Sequence, residues 1–246
     1  MKKQFLLLVL MMLPFKAVSA IKGVNGIAYN VNTDTKTAEV IPHATKKYSG
    51  DIVIPATITV DGESYSVTSI GNNAFYYCNE LTSITIGANV ERISYGACSG
   101  CSALSKVVIN SNALVSADQH VSSKFLYYFG SGVREYVVGE GITRIGNCAF
   151  ATCSCLTSIT LPNSLTDIGS KAFSYCSRLT SITIPDKVTS IGEGAFKLCE
   201  SLKSIQWPAC LTTIGDEAFY KCNAMTSVVI PSSVTFIGRH AFYGCI

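Results

Sequence analysis

Cysteine is the residue type with the greatest potential for chemistry in this sequence, which contains eleven of them. A cysteine thiolate can bind a metal, act as a nucleophile or form a disulfide. Because the total is odd, at least one thiol stays free unless it pairs with another molecule. Seven of them recur at one place in a repeated pattern, most of them at equal intervals: Cys78, Cys101, Cys153, Cys176, Cys199, Cys222 and Cys245.

The spacing Cys98-x-x-Cys101 resembles half of a zinc or redox motif. No second pair with this spacing follows, and both residues fall at core places of the repeat described below. They are therefore interpreted as core residues rather than as metal ligands or a redox centre. Cys148, Cys155 and Cys210 lie at variable places, so we expect them to be more exposed and to be better candidates for a reactive or bridged thiol.

The other residues typical of catalytic and binding motifs form no recognisable arrangement. His43, His120 and His240 have no serine, cysteine or acidic partner at a diagnostic spacing. The segment VVGEGITRIG lacks the glycine spacing of a dinucleotide-binding loop, and no HExxH, GxSxG or calcium-loop pattern occurs. The sequence thus predicts a protein that is not an enzyme, with no catalytic residue, no metal site and no cofactor.

Residues 1–20 have the features of a secretory signal peptide. Two lysines precede an apolar run at residues 5–13, and the small side chains of residues 18–20 suit cleavage. The run is too short for a membrane-spanning helix, and no later segment is long and apolar enough for one. Three of the 19 basic residues lie in this leader, which leaves 16 basic and 16 acidic residues. This balance disfavours nucleic acid as a partner, and a secreted or cell-surface location is predicted.

One repeated unit dominates the rest of the chain, and LTSITIPDKVTSIGEGAFKLCES at residues 179–201 is a full copy of it. The shared pattern is L-T-S-I-T-I-P-x-x-V-T-x-I-G-x-x-A-F-x-x-C-x-x, and we number its places as slots 1 to 23. A fixed period of this length predicts that each copy is one coil of a solenoid. Copies span 81–103, 133–155, 156–178, 179–201, 202–224 and 225–246, the last of which is one residue short, with a partial copy at 67–80 and an irregular, longer copy at 104–132.

Each coil has three predicted parts. Isoleucines at slots 4 and 6 alternate with a threonine, which predicts a short strand with one face inward. Slots 10 and 13 form a second inward, extended pair, and Gly192 at slot 14 is expected to permit the turn that follows. Ala195, Phe196 and Cys199 are spaced like one turn of helix with its face inward. Stacking of coils would align like residues into continuous files.

These segments resemble a known family. The L-x-x-I-x-I and I-G-x-x-A-F-x-x-C runs, repeated in register over roughly residues 50–246, are similar to the BspA-type leucine-rich repeats of bacterial secreted and surface proteins. The resemblance implies a leucine-rich-repeat solenoid with a parallel β-sheet on one side and short strands and short helical turns on the other.

Residues 21–66 differ from the repeat and are predicted to form a β-rich N-terminal cap. Two stretches alternate apolar and polar residues around polar turns, one of them Asp61-Gly62, which is typical of β-hairpins. A solenoid end needs such a cover because it exposes core and strand edges. The predicted organisation is a signal peptide at 1–20, the cap at 21–66 and the solenoid at 67–246, which ends at Ile246 without a distinct cap.

The recurring cysteines are best explained by this architecture. At slot 21 a thiol faces the core and behaves as a small apolar filler. Side chains in adjacent coils run parallel, so their Cβ atoms stay too far apart for easy bridging. A ladder of buried free thiols is therefore favoured over disulfides within it, although export would permit disulfides.

Two surfaces of the solenoid are candidates for binding. The outward slots 2, 3 and 5 of the strands carry mostly Thr and Ser, which suit either β-sheet stability and solubility or a flat docking surface; the former is favoured. Tyrosines lie in the variable slots after the phenylalanine and act either as contact residues or as lids over their own coils: Tyr76, Tyr77, Tyr175, Tyr220 and Tyr243.

The irregular copy is the third candidate. Val121, Phe125 and Phe129 recur four residues apart and predict a helical face that replaces the missing Ala-Phe-Cys unit. Tyr127 and Tyr128 would then point partly outward as a functional bulge, although a longer coil with its own local core, of the kind that the family resemblance implies, is the favoured interpretation.

The sequence as a whole predicts an exported, non-catalytic protein–protein recognition module. The resemblance implies adhesion to host or extracellular-matrix proteins as its specific role. Two alternatives remain open: a glycan-binding module that uses the hydroxyl-rich face with tyrosine stacking, and a surface element that self-associates end to end.

Overall fold

The computed structural model describes residues 19–119 and 124–245 of the 246-residue chain. Almost all of the predicted signal peptide therefore lies outside the described residues, as do His120, Val121 and Ile246. The described part is a solenoid of short strands with two short helices, which confirms the predicted leucine-rich-repeat fold. No helix within these residues is long and apolar enough to cross a membrane.

The described strands and helices follow one another in a regular order along the chain. In sequence they are β1 (Ser19–Val24), β2 (Ile27–Asn32), β3 (Thr37–Ile41), β4 (Ser49–Ile54), β5 (Thr57–Val60), β6 (Glu63–Ile70), β7 (Glu80–Ile86), β8 (Arg92–Ile93), β9 (Lys106–Ile109), α1 (Asn112–Val115), α2 (Lys124–Phe129), β10 (Glu135–Val138), β11 (Arg144–Ile145), β12 (Ser158–Thr160), β13 (Asp167–Ile168), β14 (Ser181–Thr183), β15 (Ser190–Ile191), β16 (Ser204–Gln206), β17 (Thr213–Ile214) and β18 (Phe236–Ile237).

The N-terminal sheet is built from hairpins. Strands β1, β2 and β3 pair antiparallel in succession, and β5 pairs antiparallel with β6. At the tip of the β5–β6 hairpin Asp61 and Gly62 both have positive φ, 51° and 82°, as a type I′ turn requires. Strand β3 pairs with β6 in parallel. Tyr48, which lies between β3 and β4, accepts the N–H of Ala28 at 3.0 Å, and its ring lies 5.0 Å from that of Phe75, so it links this sheet to the first phenylalanine of the solenoid.

Two parallel ladders run along the solenoid. The first joins β4, β7, β9, β10 and β12 and continues in β14 and β16, with Ile182 opposite Ile205. The second joins β11, β13, β15, β17 and β18. Paired residues in the second ladder occupy the same slot in successive copies, as Ile168 and Ile191 do. Each strand of this ladder is therefore paired with the strand one sequence period later, with residues of the same slot opposite each other.

The glycine at slot 14 has a different role from the one predicted. The backbone of Gly192 does not have a positive φ, and a Cβ atom there would lie 2.6 Å from the carbonyl carbon of Gly169 in the preceding coil. Because real Cβ atoms do not approach backbone that closely, glycine is required here by the close stacking of coils rather than by a turn.

A third ladder takes the place of the predicted helical turn. In the coil of Phe196, the N–H groups of Gly194, Phe196 and Leu198 donate to carbonyls of the next coil at 2.7–2.8 Å. Gly194 and Leu198 have positive φ, 57° and 60°, and corresponding residues in the other regular coils do the same. Because the residues at slots 16 and 20 are both in the left-handed conformation, every second N–H group of the segment points along the solenoid towards the next coil. In a helix these N–H groups would instead bond within the segment. The segment is thus a chain of tight turns, with Ala, Phe and Cys inward as predicted.

The core consists of files of identical side chains. The rings of Phe150, Phe173, Phe196, Phe219 and Phe242 stack at 5.2–5.3 Å between centroids with interplanar angles of 3–11°. Where Cys98 replaces phenylalanine, the irregular copy supplies aromatic rings instead. Phe125 in α2 lies 5.0 Å from Phe150, and Phe129 is also buried. The predicted inward face of this helix is therefore observed at its two described phenylalanines.

The cysteines at slot 21 form the predicted ladder of thiols. Sγ atoms along the ladder donate to phenylalanine carbonyls of the coil before, as Cys176 does to Phe150 at 3.2 Å and Cys199 to Phe173 at 3.1 Å. Cysteines in the described residues are thiols rather than disulfides. Of the three at variable slots, Cys210 is exposed and Cys155 half-buried, but Cys148 is buried, contrary to the expectation that it would be exposed.

Candidate interaction surface

The outward side chains of the first ladder form a polar surface, the sheet face. Some of its hydroxyls are engaged within the protein: Thr82 and Ser83 donate to Asp51 at 2.9 and 2.6 Å. The hydrogen bonds from Ser83 and Thr82 lower the pKa of the Asp51 carboxyl. Thr183 and Gln206 hydrogen-bond at 2.7 Å in the same way across adjacent rungs. Such pairs stabilise the sheet.

No aromatic side chain points outward from the described strands of the sheet face. The one bulky ring on β10, that of Tyr136, is buried in the core, and its neighbour Glu135 forms an ion pair with Lys106 at 2.8 Å. Contact residues that dominate binding energy are typically Trp, Tyr or Arg. The described strands of the sheet face thus lack aromatic anchors, although Arg134 at slot 2 is exposed, and the interpretation of this face as a solvated surface stays a prediction.

The tight turns between slots 14 and 21 form a second surface, the turn face, and it holds the exposed tyrosines. Tyr76 and Tyr77 are adjacent in the first coil, with ring centroids 4.4 Å apart and edge-to-face geometry. Lys47 reaches over this pair: its Nζ lies 5.8 Å from the Tyr76 ring and donates to the Tyr76 carbonyl at 2.6 Å. The result is an exposed aromatic pair with a bound cationic side chain.

A second aromatic pair joins two different segments. Tyr95, at slot 15 of the copy 81–103, is 78% exposed, and Tyr127 in α2 is 50% exposed. Their ring centroids are 6.2 Å apart. Sequence reasoning identified Tyr127 but missed Tyr95, because Tyr95 stands at slot 15, before the phenylalanine place, and not in the variable slots after it.

Tyr128 is less exposed than the irregular copy suggested. It is half-buried, its ring lies 6.4 Å from Phe125 and 6.3 Å from Phe129, and its carbonyl accepts the N–H of Cys98 at 3.1 Å. Burial raises the pKa of the Tyr128 phenol. This residue helps to fix α2 against the preceding coil, and its neighbour Tyr127 is the one that faces outward.

The third group of tyrosines lies towards the C-terminal coils. Tyr220 and Tyr243 stack at 5.2 Å with an interplanar angle of 13°, and Lys197 lies 4.8 Å from the Tyr220 ring. A hydrogen bond from Lys197 to Glu217 at 2.6 Å raises the pKa of that lysine and keeps it charged. Tyr175 is 51% exposed on the same face. The predicted tyrosines therefore occupy one face in separate groups, not one continuous patch.

The backbone that carries these rings is held firmly. Tyr77 and Tyr175 both stand at slot 20 with a left-handed backbone, with φ of 54° and 61°. Their N–H groups donate at 2.8 Å to Ser99 and Lys197 of the next coil. The rings are thus presented on hydrogen-bonded turns whose conformation is fixed before any partner arrives, which lowers the entropy cost of binding.

The family assignment follows from the repeat itself. A model of the BspA type leucine-rich repeat region matches residues 56–125 and 119–246 in six copies. The chain belongs to this family. The architecture described above is the one expected of a BspA-type leucine-rich repeat region.

Solved structures of similar repeat proteins come from several bacteria. A leucine rich cell surface protein of Faecalibacterium prausnitzii is 31% identical over 92% of the BspA-type chain, with a TM-score of 0.50, and a leucine-rich repeat protein of Bacteroides ovatus is 29% identical over 90%, with a TM-score of 0.52. The chain spans about half of each, 52% and 50%. The T. pallidum leucine-rich repeat protein is 25% identical, with 91% of this chain and 89% of that one covered and a TM-score of 0.50. No curated protein matches the chain.

The described residues of this BspA-type protein include a small cavity and larger open grooves, one of which, of about 480 Å³, is lined by Ser105, Arg134 and Thr157 among others. The cavity beside α2, lined by Glu91, Leu114, Phe125 and Tyr128 among others, holds about 70 Å³. Within residues 19–119 and 124–245 no group of three or more His, Cys, Asp and Glu side chains is placed to hold a metal ion. The turn face carries the exposed tyrosines, and it is the surface that we consider for recognition.

Proposed function

We propose that this BspA-type protein is an exported, non-catalytic module for protein–protein recognition, and that it adheres to host or extracellular-matrix proteins through its turn face. The observation that carries the proposal is the presence of exposed tyrosines on the turn face, two of which, Tyr77 and Tyr175, stand on turns hydrogen-bonded to the next coil. Tyrosine supplies a large amphipathic contact area at a low cost in side-chain entropy. Tyr95 and Tyr127 form the most exposed of the close pairs and are the principal candidates.

The lysines beside the tyrosine rings favour a protein partner whose contact surface has both apolar and acidic groups. Lys47 lies over Tyr76, and Lys197 lies over Tyr220, so two of the tyrosine groups combine an aromatic ring with a positive charge. A cation held against a ring can also face a carboxylate of a partner. The signal-peptide pattern and the similarity to a cell surface protein support export and display outside the cytoplasm.

The test is a binding assay with purified extracellular-matrix proteins immobilised on a surface. Replacing Tyr95 and Tyr127 together by Ser should weaken binding by about tenfold or more, because aromatic anchors dominate interface energy. The matched control replaces Thr157 and Thr180, which lie exposed on the sheet face, by Ala and should leave binding within about twofold.

The opposite pattern, with the threonine variant impaired and the tyrosine variant unaffected, would place recognition on the sheet face and contradict the proposal. A glycan array distinguishes the second candidate, which the stacked rings of Tyr220 and Tyr243 favour because sugars pack against aromatic faces. If the chain binds a glycan, loses that binding when these two tyrosines are replaced, and binds no matrix protein, then its partner is a glycan rather than a protein.

A further inference from the structure

Cys98 and Cys101 place two thiols in one coil, and this sets their coil apart. In the coils that contain Cys176, Cys199 and Cys222, the residue three places earlier is a phenylalanine of the stacked file. In the copy 81–103 that place is Cys98, so the inward side chains at slots 18 and 21 are both cysteines, and both are buried.

The backbone holds the two residues at a distance that suits a disulfide. The N–H of Cys101 donates to the carbonyl of Cys98 at 3.2 Å, which closes a tight turn. Residues related in this way have Cα atoms less than about 7 Å apart. A disulfide needs a Cα separation of about 4.4–6.8 Å. Both side chains are also buried in the interior of this one coil.

Cys101 keeps the hydrogen bond typical of slot 21 and has Cys98 as a further partner. Its Sγ donates to the Phe75 carbonyl at 2.9 Å, as that of Cys199 does to Phe173 at 3.1 Å. The second sulfur lies where the coil of Cys199 holds a phenylalanine ring. The interaction between the two thiols lowers the pKa of Cys101 and, together with burial, raises that of Cys98. Cys101 is therefore the better nucleophile of the two.

We propose that Cys98 and Cys101 form an intrachain disulfide when the chain meets a small-molecule or protein disulfide oxidant. In a cell the formation of this disulfide rests on the proposed function, which includes export, because oxidising compartments supply such oxidants. The bond would fasten the turn that carries Tyr95 and whose Cys98 N–H is bonded to α2, and so would stabilise the Tyr95–Tyr127 pair.

The reaction is a two-step thiol–disulfide exchange. The Cys101 thiolate attacks one sulfur of the oxidant, forms a mixed disulfide and releases the other sulfur as a thiolate. The Cys98 thiolate then attacks the Cys101 sulfur and releases the second half of the oxidant. Two electrons pass to the oxidant, and the two protons lost by the cysteines end on its two thiols.

The test uses the purified, fully reduced chain in buffers of oxidised and reduced glutathione. After unfolding in N-ethylmaleimide and digestion with trypsin, residues 93–106 form one peptide that contains Cys98 and Cys101 and no other cysteine. We expect this peptide to lose both alkylation sites and to be lighter than its reduced form by two hydrogen atoms. Two alkyl groups on the peptide at every glutathione ratio would overturn the proposal.

Two variants and one localisation measurement sharpen the result. Cys78→Ala should leave the 93–106 disulfide intact, whereas a link between this peptide and the one of residues 48–92 in the unmodified chain would show a bridge from Cys78 and refute the pair. Cys98→Ser should leave Cys101 alkylated or joined to glutathione, the mixed disulfide of the first step. Cell fractionation tests export separately, since a chain retained in the cytoplasm contradicts the proposed function but does not change the outcome with glutathione.

Discussion

Replacing Phe196 by Ala tests the energetic role of the phenylalanine file. The Phe196 ring is fully buried between Phe173 and Phe219, each 5.2 Å away and nearly parallel to it. Removing a ring from such a site costs about 3–5 kcal/mol, through lost burial and the cavity that remains. Phe242 is only partly buried and has one stacked neighbour, Phe219 at 5.3 Å. Its replacement should cost about half as much, roughly 1.5–2.5 kcal/mol.

The assay is urea unfolding of the mature chain, followed by circular dichroism, for Phe196→Ala and Phe242→Ala in parallel. Tyr175→Ala is the matched control because its ring points outward one coil away, and its free energy of unfolding should change by less than about 1 kcal/mol. Equal losses for the two phenylalanine variants would refute the reasoning, since they would mean that flanking rings contribute nothing. A loss below about 1 kcal/mol for Phe196→Ala would show that its ring is not buried in a file.

Two further predictions concern packing and titration. Gly192→Ala should destabilise the protein by about 1–3 kcal/mol because its Cβ would meet the backbone of Gly169, whereas Gly23→Ala, with nothing within 4 Å, should be neutral in the same urea assay. Burial raises the pKa of Cys199 from 9.0 to about 12, so the unfolded thiol ionises first and the free energy of unfolding should fall as pH rises from 9 towards 12. The decline should be shallower in Cys199→Ala; equal slopes would contradict the assigned burial.

The stacked core could be predicted from the sequence because repetition fixes register. Once residues of the same slot align in adjacent coils, the side chains of Phe173 and Phe196 must lie next to each other in the core. The same holds for the isoleucines of both ladders. The Asp61-Gly62 hairpin could be predicted equally well, since few residue pairs suit a type I′ turn. The division of the chain into cap and solenoid near residue 66 stays a prediction.

The turn ladder could not be predicted because its left-handed residues are not marked by type. Lys171 and Glu217 have φ of 56° and 54°, a conformation more often associated with glycine or asparagine. Their N–H groups donate at 2.7–2.8 Å to the next coil, so contacts between coils fix the conformation. Local spacing alone therefore resembled a helical turn.

Side-chain exposure was the least predictable feature of the candidate surface. Cys148 stands at a variable slot, yet it is buried, because residues just after α1 cover it: Asp118 accepts the N–H of Asn147 at 2.8 Å. The same irregular copy half-buries Tyr128 and brings Tyr127 to Tyr95. Contacts made by a non-repeating segment have no counterpart elsewhere in the chain, so the repeat pattern carries no information about them.

The most direct test of the stacking of coils is a nuclear Overhauser measurement on a sample protonated only at its phenylalanine rings. The structure predicts cross-peaks between Phe173 and Phe196 and between Phe196 and Phe219, whose centroids are 5.2 Å apart. It predicts no direct cross-peak between Phe173 and Phe219, which are separated by the ring between them. Absence of the two nearest-neighbour peaks, or a direct Phe173–Phe219 peak, would contradict the alignment of successive repeats on which the turn face and its proposed role depend.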